Sequence, residues 1–247
     1  MTTEFLLLLA AGAVAGGFIN GLAGFGTALF ALGFWLQIMP PVQAVSIVVV
    51  VSAVSGVQGV WLVRHSILRQ PKRLARFLAS GIIGIPIGVA TLAMLDPTIL
   101  KLLIAGFLIL YGGFFSFRKA LPKFERPTPL VDSAIGFLGG ILGGAASLSG
   151  ALPTMWCSMR PWPKAETRAV LQPFNVVILG LTSVMFAVKG VYTWESLTLI
   201  ATALPLTMAS AQIGIVVFKR LADDQFRRLI IAMMFLSGLV LFFREIL

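Results

Sequence analysis

Between Phe5 and Met39 the chain runs 35 residues without a charged side chain. As one straight helix that run would rise about 50 Å, against a hydrocarbon core of about 30 Å. It must therefore break, and its middle supplies the means: Gly16, Gly17, Gly21, Gly24 and Gly26, with one amide, Asn20, among them. Glycine opens the backbone, and a helix restarting after a break presents unpaired N–H groups. At membrane depth such groups are tolerated only where protein or a water-filled cavity surrounds them. The alternative is that the glycines merely let two helices pack closely. Asn20 argues against that alternative, because packing alone does not call for an amide.

The rest of the chain agrees with a membrane solvent. Of its 247 residues 58% are hydrophobic, and the mean hydropathy is +0.99. Residues 42–63, 169–188 and 197–218 are further runs of spanning length without a charge. The N-terminus carries Glu4, no basic stretch and no clear cleavage site, so a retained helix is expected there. Cys157 and His65 are each single, which excludes a disulfide framework and argues against a transition-metal site. There is no phosphate-binding loop and no Ser-His-Asp set, so neither catalysis nor a cofactor is expected. The nine carboxylates fall at helix ends or in loops, none in mid-span as a proton relay would require. The net charge of +10 lies in short basic clusters between apolar runs, the pattern of loops facing an anionic leaflet and not of a nucleic-acid binder.

In order, the sequence predicts the broken segment, a helix over 42–63, a basic loop holding Arg64, Arg69, Lys72, Arg73 and Arg76, and spans over 74–95 and 99–117. A proline-rich linker at 121–130 then divides a first repeat, 1–120, from a second, 131–247. The opening pattern returns 123 residues on: Gly16, Gly17, Gly21, Ala23, Ala28 and Leu29 match Gly139, Gly140, Gly144, Ala146, Ala151 and Leu152. At the same offset Gly24 and Gly26 become Ser147 and Ser149, Gln43 stands beside Glu166, and Ser52 beside Asn175. Weak internal repeats of this kind mark many secondary transporters. Charge then sets the topology. If each glycine break is a re-entrant hairpin or short helix pair, entering and leaving on one face, 16 of the 19 Lys and Arg share one side. That reading gives an all-α polytopic fold of two inverted repeats, each a glycine-broken hairpin plus three spans, with both termini outside.

The segment Gly17-Phe-Ile-Asn-Gly-Leu-Ala-Gly-Phe-Gly26, followed by Pro41-Val-Gln-Ala44, resembles the sulfite exporter TauE/SafE family, also called the 4-toluene sulfonate uptake permeases. The second glycine run and Thr167-Arg-Ala169 are similar to that family's second repeat, although Ser147 and Ser149 stand where glycines are common. The resemblance extends over about 5–244. It implies an inner-membrane permease whose partners are the bilayer and a small anion such as sulfite or a sulfonate, with a proton or sodium ion as a candidate for coupling. An anion channel and a non-transporting assembly or partner protein are the alternatives.

Two broken helices meeting near the midplane would offer half-helix N-termini, whose N–H groups and positive dipole ends suit an anion. The backbone at Gly21, Gly24, Gly26 and Gly144 would make the close approach. Asn20, Thr27, Ser147 and Ser149 at the breaks, Gln43 and Ser52 on the helix after the first, and Gln172 and Asn175 on one face of the helix after the second would complete the site. Arg168 is the remaining candidate, because its planar fork matches sulfonate oxygens.

Overall fold

The computed structural model describes residues 2–92 and 124–246, together with positions 98, 102, 105, 106, 109 and 113. The expected span 99–117 falls largely outside these residues, as do Asp96, Lys101, Arg118, Lys119 and Lys123. The described residues form α1 (Thr3–Ala23), α2 (Thr27–Trp35), α3 (Pro41–Arg69), α4 (Pro71–Leu92), α5 (Pro129–Ala146), α6 (Ala151–Ser158), α7 (Lys164–Val188), α8 (Trp194–Arg220) and α9 (Asp223–Ile246). Among them α1, α3, α4, α5, α7 and α8 are long and apolar enough to cross a membrane. Helices α2 and α6, of 9 and 8 residues, rise only about 12–14 Å.

The 35-residue run breaks where the glycines cluster. Helix α1 ends at Gly24 in the left-handed conformation (φ +87°), whose N–H returns to the Asn20 carbonyl, and α2 restarts after Gly26 (φ +94°). Only glycine takes up such angles without steric cost. Helix α2 then folds back along α1: the Cβ positions of Gly16 and Gly12 touch Thr27 and Trp35, and Trp35 Nε1 donates to the Leu9 carbonyl at 3.0 Å. The second half repeats the device. Helix α5 ends at Ser147, the single non-glycine residue with positive φ among the described residues (+61°), and α6 folds back so that Trp156 Nε1 reaches Asp132 at 2.7 Å. Both halves therefore hold a helix pair folded back at its break, but only α2 and α6 are short: α1 and α5, expected as short or re-entrant, are long enough to span.

Each pair packs on the fourth helix of the other half. Helix α1 crosses α8 at Gly17, Gly21 and Gly214, and α5 crosses α4 at Gly136, Gly140, Gly144, Gly84 and Gly88. A Cβ on Gly21 would stand 1.9 Å from the Ala211 carbonyl oxygen, and one on Gly140 1.9 Å from that of Gly81. These are backbone-to-backbone approaches of the kind that small residues permit in membranes. Both alternatives raised for the glycines thus apply, to different glycines: Gly24 and Gly26 break the helix, while Gly17 and Gly21 pack it. The space expected to serve a ligand at Gly21 and Gly144 is filled by α8 and α4 instead, because the crossing brings backbone against backbone there.

Where the chain differs from the sequence reading, the cause is local. No basic loop separates the second and third spans: α3 continues through Arg64 and His65 to Arg69, and α4 starts at Pro71, so the bases decorate helix ends. A polar residue alone does not stop a helix, whereas Pro71 sets its new start. The basic residues still gather at one end. Arg73 pairs with Glu166 at 2.7 Å, Arg76 and Arg160 reach Asp132 at 3.7 and 3.3 Å, and the Lys164 ammonium caps carbonyls at the end of α8. Helix α1 runs toward this end, since its last turn meets Arg168, and α5 starts from it at Asp132.

Adding a methyl group at Gly21 should therefore lower stability by about 1–3 kcal/mol or more through overpacking. At Gly180, whose Cβ position has nothing within 4 Å, Gly→Ala should be neutral or raise stability by about 1 kcal/mol through helix propensity. Melting temperatures of the two variants in the same detergent check the contrast.

Candidate functional site

The two breaks meet in the interior. The Cβ position of Gly150, at the tip of the second pair, lies 2.5 Å from Phe25 Cβ at the tip of the first. Around this junction α3 and α7 run antiparallel, and the polar residues expected at the site converge on their middle turns. Asn20 donates through Nδ2 to the Ser52 carbonyl (3.2 Å) and to Ser55 Oγ (2.9 Å). Ser149 Oγ donates to Asn175 Oδ1 at 2.6 Å, tying the second tip to α7. Gln172, one turn before Asn175, donates to the Gly56 carbonyl at 3.0 Å. Its Oε1 lies 2.9 Å from the Cβ position of Gly24. Pro173 leaves the Ala169 carbonyl of α7 without its helical donor, which loosens the backbone between Arg168 and this cluster.

Arg168 sits at the centre and is fully buried. Its Nη2 donates to the Gly21 carbonyl (2.7 Å), Nη1 to that of Leu22 (3.2 Å), and Nε and Nη2 to Gln172 Oε1 (3.2 and 3.0 Å). The guanidinium centre stands 4.3 Å from the centroid of the Phe218 ring. The sequence placed Arg168 at the mouth of a helix; the structure places it inside α7, because the helix begins at Lys164. It caps the last turn of α1, where carbonyls lack helical partners and the dipole is negative. Among the described residues no carboxylate lies within ion-pair distance of it.

The remaining candidates divide. Asn20, Ser52, Gln172, Asn175, Ser149 and Gly24 belong to the connected cluster described above. Thr27 and Ser147 are buried at the first turn of α2 and the end of α5. Gln43 does not join them: it lies nine residues before Ser52, about 13 Å along α3. Gly26, the N-cap of α2, has no side chain to cap the first turn, which leaves N–H groups there for another acceptor; in α6 the Ala151 N–H returns to the Leu148 carbonyl and Pro153 has no N–H, so that end offers little. Several buried polar atoms here have no hydrogen-bond partner within the protein: Asn20 Oδ1, Thr27 Oγ1, Ser52 Oγ, Ser147 Oγ and Asn175 Nδ2. Unpaired buried groups each cost about 1–3 kcal/mol, so these atoms are an energetic cost concentrated at the two breaks and the helices behind them.

Residues 8–241 match the family model described as sulfite exporter TauE/SafE. The chain belongs to that family. No curated protein and no solved structure matches it. TauE/SafE proteins form a membrane transporter family, and with its apolar helices this member is a multi-pass membrane protein.

The sequence did not reveal the second polar cluster, at the basic end of this TauE/SafE member. Asp132 and Arg160 are each 3% exposed, and Arg160 also donates to the Phe124 and Arg126 carbonyls and to Thr128. The cluster closes the open side of the α5–α6 pair. Asp132 and Arg160 stand 28 residues apart, one on each side of the second glycine run, a separation that helical periodicity does not connect.

Removing the guanidinium should expose its cost directly. Arg168→Ala leaves the Gly21 and Leu22 carbonyls and Gln172 Oε1 unsatisfied, an expected loss of about 3 kcal/mol or more. Arg168→Lys, which keeps the charge without the fork, should recover less than half of it. Chemical denaturation in mixed micelles provides the measurement.

Proposed function

We propose that this chain is a secondary permease moving sulfite or a small sulfonate by alternating access. The observation that carries the reading is Arg168: a buried charge met, among the described residues, by carbonyl dipoles, one amide and the Phe218 ring, with no carboxylate beside it. Four of its donor contacts are used, and the five N–H groups of a guanidinium leave one on Nη1. An anion entering the junction gains that donor, the Coulomb attraction of a desolvated cation, and the uncapped first turn of α2. The Phe218 ring behind the guanidinium limits its travel, so the charge stays at the junction.

In this reading residues 1–120 and 131–247 are inverted-topology repeats joined by 121–130. Support comes from the left-handed caps at the equivalent positions Gly24 and Ser147, from the reciprocal packing of each helix pair, and from the opposite directions of α1 and α5. The basic end faces the cytoplasm of a cell inner membrane, and both termini lie outside. Rocking of one repeat against the other would carry the site from one face to the other.

Purified protein in proteoliposomes should take up or release sulfite with saturation and with acceleration by the same anion on the opposite side. Flux linear in concentration would indicate a channel, and no flux a partner protein. In a Cys157→Ser background, cysteines replacing Arg69, Lys164 or Lys219 should be protected from an impermeant thiol reagent in whole cells. Labelling of Lys164→Cys from outside would overturn the orientation.

A further inference from the structure

One ring stands between the basic end and Arg168. Phe218 lies in the last turn of α8 and is 5% exposed. Its centroid is 4.3 Å from the Arg168 guanidinium centre and 5.1 Å from the Lys164 ammonium. Lys164 opens α7 at the basic end, and Arg168 follows four residues on, on the same face and about 6 Å further along the helix. The two cations therefore share one ring, which packs against the short route along α7 from the basic end to the buried charge. Phe226, 2% exposed near the start of α9, meets that ring edge to face at 5.2 Å and supports it from the side.

The outer cation tethers the ring. Lys164 Nζ donates to the Phe218 carbonyl at 3.1 Å, to that of Lys219 at 3.5 Å and to that of Leu221. An ammonium has three N–H donors, so all of them are committed to the end of α8. The Lys164 backbone N–H also meets Asp223 Oδ1 at 3.2 Å, which joins the start of α9 to the same point. A lysine near a helix C-terminus commonly caps carbonyls. This one differs because a carbonyl that it holds belongs to the residue whose ring covers Arg168. An anion that takes up Lys164 must displace at least one of these carbonyls, and the turn carrying Phe218 then loses part of its fastening. At the 123-residue offset Lys164 and Arg168 correspond to Pro41 and Val45, so the first half carries no such pair of cations there.

The geometry points to Phe218 as the gate between the basic end and Arg168, with Lys164 as its latch and as the first contact of an anion at that end. The proposal rests on the anion-permease reading and adds to it the residues that open one side. Binding of an anion at Lys164 loosens the end of α8, the ring turns off the guanidinium, and Arg168 comes within reach of the basic end.

Access to a thiol beside Arg168 tests this without knowledge of the substrate. In the full-length protein carrying Cys157→Ser and Gln172→Cys, the new thiol replaces the amide that bonds Arg168. Its labelling by 2-sulfonatoethyl methanethiosulfonate, an impermeant anion, should be slow from the face bearing the basic end. Adding Phe218→Ala should raise that rate at least about tenfold and leave the rate from the other face unchanged, because access to a buried group follows the free energy of local opening. Lys164→Met should raise it at least about threefold and Lys164→Arg should keep the parent rate, since only the first loses the charge-assisted bonds to α8. Fast labelling before Phe218 is changed, an unchanged rate in Phe218→Ala, or an equal rise from both faces would overturn the gate. An unchanged rate in Lys164→Met would overturn the latch. Absence of sulfite flux through the wild-type protein in proteoliposomes would overturn the permease reading and leave the labelling result to decide whether the ring closes over Arg168. Where Gln172→Cys fails to fold, Arg168 is its own reporter: modification by butanedione, located by peptide mass, should quicken by the same factor in Phe218→Ala, and no change there overturns the gate.

Discussion

A helix that ends inside a membrane protein must give its last carbonyls to something, and here Arg168 takes two of them. Lipid offers no donors, so the open end of α1 would otherwise be a cluster of unsatisfied oxygens at the negative pole of a dipole. The guanidinium satisfies Gly21 and Leu22 and reaches Gln172 with the same planar group. Gln172 then bonds the backbone of α3 at Gly56. The first glycine break, the α3–α7 pair and the buried positive charge are thereby one connected unit. Disturbing any member reaches the others.

The second half solves the same problem by other means. Ser147 takes the left-handed cap that Gly24 takes in the first half, and the Ser149 hydroxyl, not an arginine, ties the break to α7. Cationic capping is moved to the mouth of that pair, where Arg160 and Asp132 are buried together. The equivalent mouth of the first pair is closed by a neutral contact, the Trp35 indole on the Leu9 carbonyl. The two helix pairs share a backbone plan and differ in where they place charge, which leaves their junction with one strongly positive side.

Much of this was legible in the sequence, because membranes impose few and strict rules. Length and absence of charge forced a break between Phe5 and Met39, glycine clustering located it, and the constant offset found its twin. Asn20, Ser52, Gln172 and Asn175 stood out as amides and hydroxyls in apolar runs, and the structure brings them to one junction. What the sequence could not distinguish was which glycines break and which pack. That depends on crossings with α8 and α4, set by residues more than a hundred positions away. Gln43 looked equivalent to Ser52 because both are polar on one helix, yet nine residues of helical rise separate them. Arg168 was legible as a candidate by its planar fork but not as a buried one, because helix starts are uncertain by a turn, and one turn decides whether an arginine is anchored in headgroups or buried.

The reciprocal packing has a consequence for how the protein is made. The glycine face of α1 is covered by α8, and that of α4 by α5. When the ribosome has finished the first half, α1 and α4 both sit in the bilayer with bare backbone grooves that only later segments fill. Neither half completes its own structure, so the first must wait, open to lipid, until α5 and then α8 arrive. The order of synthesis is therefore also an order of closure. The Arg168 contact with α1 bridges that interval, since α7 emerges before α8 and fastens the end of α1 ahead of its permanent cover.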